Sequence, residues 1–390
     1  MGASRTTSAN VTVRSDIATL NFGFSHLNEA GFIKNNDLQR NNFSVGGTAQ
    51  ITPKWSLNGT FNYVVTDFET PPAGSGQGSN SLGGPSVFAN LFYVPRNIDL
   101  MNWPYQNPIT GASIYYRNGN DITNPRWLLD NARQTSLTNR FFSTLSTSFD
   151  FTDWLKLTYR LGIDQFSEQQ SYWLNRGAVG FPTTAAVLAT GLLRTVNANN
   201  DIYDHTLILS GNRRIGENFD ITTNFGLSGR VDKYKQEGME STNQVVFNQV
   251  THRNFIDNND RDFRGNNLSY ASNRTILGGF FDATIGYKSF LYVNLQGRND
   301  IASTHEDEFR SLFYPGVSVS FVPTDAFPAI RSKVLDFAKI RIGYGTSARF
   351  ADPYRTRPFL TLNTNNSVDV KGNVISLALP TRLASPLLRP

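Results

Sequence analysis

The stretch "WSLNGTFNYVVT" (residues 55–66) sorts its side chains into two rows. Trp55, Leu57, Gly59, Phe61, Tyr63 and Val65 form one row, and Ser56, Asn58, Thr60, Asn62, Val64 and Thr66 the other. Side chains of a strand alternate between faces, so this is one strand with an apolar face and a hydroxyl- and amide-bearing face. It runs for about twelve residues, twice the usual length of about 5–6. The pattern recurs in "WLKLTYRLGIDQF" (154–166), "FDITTNFGLSGR" (219–230) and "FLYVNLQGRND" (290–300). No helical period of useful length accompanies it, and the chain reads as all-β.

Strands are expected at about 8–14, 17–27, 39–51, 55–67, 137–151, 154–168, 203–213, 219–232, 268–286, 289–301, 311–322 and 337–346. Their connections alternate. "SDI" (15–17), "TPK" (52–54), "TD" (152–153), "IGEN" (215–218) and "YKS" (287–289) are tight, whereas 28–38, 68–136, 169–202 and 233–267 are long and rich in Gly, Asn and Pro. "TDAFPAIRSKVLDF", in the join 323–336, interrupts the tight series and reads as one helical turn. Short turns at one end and long loops at the other mark a transmembrane β-barrel of the outer-membrane type. Trp55 and Trp154 follow tight turns, where an interfacial aromatic girdle belongs. A secreted β-sandwich binding or adhesion protein with aromatic-rich loops is the alternative, since its strands alternate too. The two differ in where the apolar rows go: into lipid, or into a sealed interior.

Composition narrows the function. Of 390 residues only 17% are charged, against about 25% in soluble domains. The net charge of +5 is spread without a basic cluster, which argues against nucleic acid. "AAVLATGLL" (185–193) is far shorter than the roughly 20 residues of a spanning helix. There is no cysteine, hence no disulfide, thiolate catalysis or Cys-based zinc site. His26, His205, His252 and His305 are scattered, and "DNNDRD" (257–262) lacks the glycine and distal Glu of a calcium loop. "HEDEF" (305–309) reads as solvated carboxylates, and "GSGQGSNSLGG" (74–84) as a flexible linker. The sequence implies no cofactor, no metal and no enzyme. "MGASRTTSANVTV" lacks the basic and apolar regions of a signal peptide.

The long loop 68–136 gathers aromatic faces among Asn and Arg: Trp103, Tyr105, Tyr115, Tyr116 and Trp127. Trp173 stands in "QSYWLNRG" (170–177). These six are the candidate ligand-binding residues, suited to sugar rings or peptide side chains. Packing of the loop onto the barrel mouth is the competing use of the same rings.

"SHLNEAGFIKNNDLQRNNFSVGGTAQITPKWSLNGTFNYVVTD" (25–67) resembles the early barrel of SusC/RagA-type TonB-dependent transporters of Bacteroidetes, with Gly31, Phe32, Ile33, Asp37 and Arg40 at that family's loop positions. "FDFTDWLKLTYRLGID" (149–164), "ILGGFFDATIGYKSFLYVNLQGRND" (276–300), "FYPGVSVSFVPTDAF" (313–327) and "LDFAKIRIGYGTSARFADPY" (335–354) are similar to its later signatures in order. The chain departs from them at "IASTHEDEF" (301–309), Phe321 and "TSARF" (346–350). The last residues, "ASPLLRP", resemble a further family motif and stop one residue short of its Glu.

The resemblance implies an antiparallel barrel of about 22 strands around an N-terminal plug, of which this sequence holds about twelve strands and no plug. Residues 1–346 would be barrel strands with extracellular loops at 68–136, 169–202 and 233–267, and 347–390 an extracellular loop leading to a missing strand. It further implies import of a glycan or peptide across the cell outer membrane, with outer-membrane lipid around the wall. Its partners would be a SusD-like surface lipoprotein and TonB, the latter through a missing N-terminal part. The wet row, including Asn58, Asn62, Arg160, Asn294, Gln296 and Arg298, would line the passage. The sequence is expected to be a fragment, Met1 not its natural start, and unable to transport alone.

Overall fold

A computed structural model describes residues 2–72, 86–116, 122–179, 189–263 and 265–357, with short stretches between 360 and 388. The linker reading of 74–84 falls outside the described residues. One antiparallel sheet dominates. Its strands are β1 (Ala3–Arg14), β2 (Ala18–Ala30), β3 (Asp37–Thr52), β4 (Trp55–Thr70), β5 (Ala132–Thr152), β6 (Leu155–Leu174), β7 (Leu192–Ile215), β8 (Phe219–Gln244), β9 (Phe255–Asn259), β10 (Tyr270–Tyr287), β11 (Leu291–Ala302), β12 (Ser311–Phe321) and β13 (Ile340–Gly345). Each pairs with the next in sequence, except that β9 is a side branch on β8 and β10 takes its place in the wall. Among the described residues β1 and β13 form the two edges. The twelve expected strands are all present. The expected helical turn is α3 (Pro323–Ala326), at the start of the join 323–336.

The register keeps one face apolar across the whole wall. Val11 stands opposite Phe22, Phe22 opposite Val45, and Val45 opposite Phe61. Further along, Phe149, Leu157, Leu209, Phe225 and Phe281 make one cross-strand line. All of these side chains but the half-buried Leu157 are exposed, Phe225 at 57%, as is Leu227 at 65%. Among the described residues the other paired strands are the two-residue β14 (Thr361–Leu362) and β15 (Leu377–Ala378), so no second sheet covers the apolar face. A sandwich would seal these rows inside. The sandwich alternative is thereby overturned, because such a face is stable only in hydrocarbon.

The height of the apolar face matches a bilayer. On β8 the outward row holds Phe219, Ile221, Phe225, Leu227 and Val231, with Thr223 and Gly229 among them, then changes to Lys233, Lys235 and Glu237. From Phe219 to Val231 the strand advances about 40 Å, or about 28 Å vertically at 45° tilt, close to the apolar band of about 25 Å. Below, at the tight turns, lies an aromatic belt. Trp55 donates to Thr147 Oγ1 (2.7 Å), and Arg213 sits 5.5 Å from the Trp154 ring. Phe219, Tyr287, Phe290, Phe321 and Phe327 touch in sequence with ring centroids 5.1–6.4 Å apart. No described helix is long and apolar enough to cross a membrane.

Above the band the strands continue further than their alternation showed. β7 begins at Leu192 and β8 runs to Gln244, so the ranges 169–202 and 233–267, expected as loops, are partly strand. This crown holds the buried apolar cluster of Val87, Trp127, Leu128, Ala132, Tyr172, Leu174, Ala178 and Leu192.

Candidate functional site

Two short helices organise the loop between β4 and β5. In α1 (Val87–Phe92) the Ser86 hydroxyl accepts from Ala89 N–H; in α2 (Pro125–Asn131) the Asn124 side chain accepts from Arg126 N–H, with Pro125 in the first turn. A capping oxygen followed by proline is a strong helix start, because the oxygen accepts from one amide the first turn leaves free and proline lacks another. α2 carries Trp127 and Leu128 into the crown cluster, against Tyr172, Leu174 and Leu192. Tyr172 and Leu174 share the parity of Arg160 and Asp164, the wet row of β6. The loop therefore folds inward over the wet face.

Trp127 is completely buried, and its Nε1–H donates to the Gly111 carbonyl (2.7 Å). Gly111 takes φ +76°, and a Cβ there would meet the Phe247 ring at 2.6 Å. Trp127 therefore packs the loop and offers no face to a ligand, contrary to the expectation. Trp173 stands apart from the rest, half-buried. It follows the inward Tyr172, so it points to the outer row, where the Arg133 guanidinium lies 5.9 Å from its ring and Arg133 pairs with Glu69 (3.1 Å). The other four lie together in the inward loop. Trp103 is 39% exposed, and Tyr115 and Tyr116 are half-buried with rings 4.5 Å apart. Tyr105 is held on two sides, donating to Asp130 Oδ2 (2.9 Å) and lying 4.4 Å under the Arg126 guanidinium. The Asp130 bond raises the Tyr105 hydroxyl above the ordinary phenol value. Arg126 also donates to the Leu100, Met101 and Trp103 carbonyls, so it fixes the backbone that presents Trp103.

Buried polar chains tie this loop to the strand tips. Asn175 donates to Asn131 Oδ1 (3.0 Å) and accepts from Gln244 Nε2 (3.0 Å). Glu240, 3% exposed, accepts from Arg194 Nε (2.7 Å) and from the Phe263 amide (2.8 Å). Burial pushes the Glu240 carboxyl above its ordinary value, against the pull of Arg194. His252 bridges Thr195 (2.9 Å) and Ser241 (2.6 Å), and burial lowers its imidazole. The "DNNDRD" oxygens are engaged locally: Asp257 bonds Asn243, and Asp262 accepts from the Asn266 amide (2.8 Å). No group of three or more potential metal ligands forms among the described residues.

The wet face below is polar and self-neutralised. Arg140 forks onto Asp164 (2.8 and 2.6 Å), Arg274 pairs with Asp232 (3.3 Å), and Arg298 contacts Asp300 (2.8 Å) and Ser228 (3.0 Å). Asn294 donates to Asp282 and Thr284, both at 2.8 Å. By strand parity Asn58, Asn62, Arg160, Asn294, Gln296 and Arg298 all stand on this face. Cross-strand pairing of opposite charges lets a hydrated wall carry many charged groups without a large net field. Sequence reasoning found this row by its period. It missed the buried Asn131–Asn175–Gln244 chain, whose members look like ordinary loop residues.

No protein-family model and no curated protein matches the chain. Solved structures do. The chain is similar to the RagAB peptide importer in its closed-closed state, with a TM-score of 0.72 and 15% identity over 98% of this chain and 40% of that one. Its similarity to a second structure, of the RagAB peptide transporter, also has a TM-score of 0.72, at 14% identity over 99% of this chain and 41% of that one. The ferripyoverdine receptor of the outer membrane of Pseudomonas aeruginosa follows at 0.51 and 11%, covering 96% and 44%. These are transporters and receptors, not enzymes, and the chain spans about two-fifths of the length of the RagAB chains. The likeness is one of fold: this chain has the antiparallel β-barrel wall of the RagAB structures.

Proposed function

We propose that this chain forms the wall and mouth of an outer-membrane importer, energised through TonB, that takes up glycans or peptides handed over by a SusD-like surface lipoprotein. The observation that carries this reading is the opposed pair of faces. The outer face is apolar to the height of a bilayer, and the inner face is polar and has an aromatic loop folded over it. The loop end then faces outside the cell, and the ligand meets Trp103, Tyr115 and Tyr116 before the polar wall. Tyr105 positions this loop. The RagAB structures are of a peptide importer, which supports an import role. The polar lining and the absence of any metal-ligating group among the described residues support uptake of an organic solute.

The test is uptake of fluorescently labelled oligosaccharides and peptides by cells carrying the complete protein, with and without its lipoprotein partner. Uptake is expected to need the inner-membrane energy source and to fall at least tenfold in a Trp103→Ala, Tyr116→Ala variant that still reaches the outer membrane. Undiminished uptake in that variant removes these residues from the ligand path.

A further inference from the structure

The upper wet wall contains a cavity that the importer reading leaves unassigned. Its volume is about 490 Å³, within the range of about 300–1,000 Å³ of small-molecule sites. One side is the wall of β8 and β10, where Arg274 stands opposite Asp232 and Ser272 opposite Tyr234. The other side is the segment 352–355, which follows β13 and returns across the sheet.

That segment is clamped at both ends of its crossing. Phe350, 7% exposed, meets the His305 ring edge-on at 5.3 Å. Arg357 forks onto both carboxylate oxygens of Glu306 (2.9 and 2.6 Å). Between the clamps Tyr354 adopts φ +64°, a backbone conformation bulky residues rarely take. Asp352 and Arg355 are exposed and make no ion pair among the described residues. The strap thus holds a carboxylate and a guanidinium over the wall with their hydrogen-bonding capacity unspent.

We infer that this cavity binds a neutral sugar ring, with Tyr234 and Tyr270 contacting its C–H face and Asp352 and Arg355 its hydroxyls. The inference rests on the importer reading and specifies one subsite within it. Three observations favour a sugar. The tyrosine rings lie 6.1 Å apart at 46° and offer apolar planes, Tyr270 being 45% exposed. The charges balance, Asp232 and Asp352 against Arg274 and Arg355, so the site has no net pull on an ionic ligand. Planar carboxylate and guanidinium groups each engage two adjacent hydroxyls at once.

The experiment takes the complete outer-membrane protein in detergent micelles, screens it on an array of neutral oligosaccharides, and titrates the best binder calorimetrically. Asp352→Ala and Arg355→Ala should each weaken that binding at least tenfold, while Asp99→Ala, on the β4–β5 loop, leaves it unchanged. Folding of each variant is checked by heat-dependent mobility on a gel. Failure of every neutral sugar to bind overturns the inference, as does binding indifferent to both strap substitutions. Peptides from a random library that bind in a manner dependent on Asp352 and Arg355 also overturn it. The same preparation reports on the importer reading separately, through its need for detergent and its partition with outer membrane. A protein that partitions correctly and binds no sugar loses the subsite alone.

Discussion

The wall and the crown are built from the same strands and obey opposite rules. In the wall, apolar side chains point outward and stay exposed, and polar ones face each other across a hydrated interior. In the crown, Trp127, Leu128, Tyr172 and Leu174 turn inward and are buried, and the outward row becomes Lys233, Lys235 and Glu237. The switch occurs on β8 between Val231 and Lys233, with no break in the ladder. The difference teaches that the surroundings, not the hydrogen-bonded sheet, decide which face is greasy. Hydrocarbon tolerates no unpaired backbone group and rewards apolar side chains, so the wall pairs strand to strand in continuous register, with shifts at Gln50–Thr52 and Asp150–Thr152 beside tight turns. Water rewards burial, so the crown makes its own core from a loop and two short helices.

Four substitutions or conditions would break or sharpen that contrast. The largest effect is expected for Trp127→Ala, which removes the centre of the crown cluster and should cost about 3–5 kcal/mol. Hydrogen exchange should rise in 86–131 and at the tips of β6 and β7 while β10–β12 stay protected. Exchange that rises equally in the wall would mean that the two regions are one cooperative unit. Next comes Leu227→Arg, a charge placed against lipid on the wall, expected to destabilise by about 2–4 kcal/mol when folding into vesicles is titrated with urea. Lys235→Ala, four residues along the same face of β8 and above the band, should change stability by less than about 0.5 kcal/mol. Equal effects from the two would move the lipid boundary.

The third effect depends on pH and belongs to the crown. Burial lowers the His252 imidazole below its usual 6.5, so the folded crown binds fewer protons there than the unfolded chain. The stability from this site is fully present above pH 6.5 and is lost as pH falls through the lowered value. Local exchange at 241–259 should therefore quicken on acidification, and His252→Gln should flatten the response. A pH response unchanged in that variant would assign it to another group. A small effect is also expected for Lys34→Ala. Its ion pair with Asp130 (2.6 Å) is two-thirds exposed on the lysine side, and such pairs contribute less than about 1 kcal/mol. A larger loss in thermal melting would show that Lys34 and Asn35, which donates to the Leu129 carbonyl (2.8 Å), lock the loop as a unit.

How much could be read beforehand follows the same division. The twelve strands of the wall were legible because each crosses lipid, which enforces strict alternation between Trp55 and Val65 or between Phe219 and Leu227. The upper halves of β7 and β8 were not, because above Val231 both faces carry polar residues and the period disappears. The short β9, "FIDNN", has no alternation and exists only as a branch on β8. Trp127 was misread for a related reason. An aromatic ring among Asn and Arg looks like a binding face, although "NPRWLLD" also holds a helix start: a capping Asn124, Pro125 in the first turn, then Trp127 and Leu128 on the buried side. That local signal could have separated Trp127 from Trp103. Nothing local separates Trp173 from Tyr172; their opposite directions follow from the register of β6 against β5 and β7.

The amino-acid order alone determined that long two-faced strands alternate with short and long connections, because side-chain period and turn chemistry are properties of neighbouring residues. It also determined which row is greasy and which is wet. Only the tertiary structure decided that the greasy row meets no second sheet, that the loop after β4 folds inward, and that Asp352 and Arg355 come to rest over Tyr234 and Tyr270. Those outcomes depend on contacts between residues far apart in sequence, such as Trp127 with Tyr172 and Asp352 with Tyr234, and such contacts are selected by packing and by the surrounding solvent rather than by any local pattern.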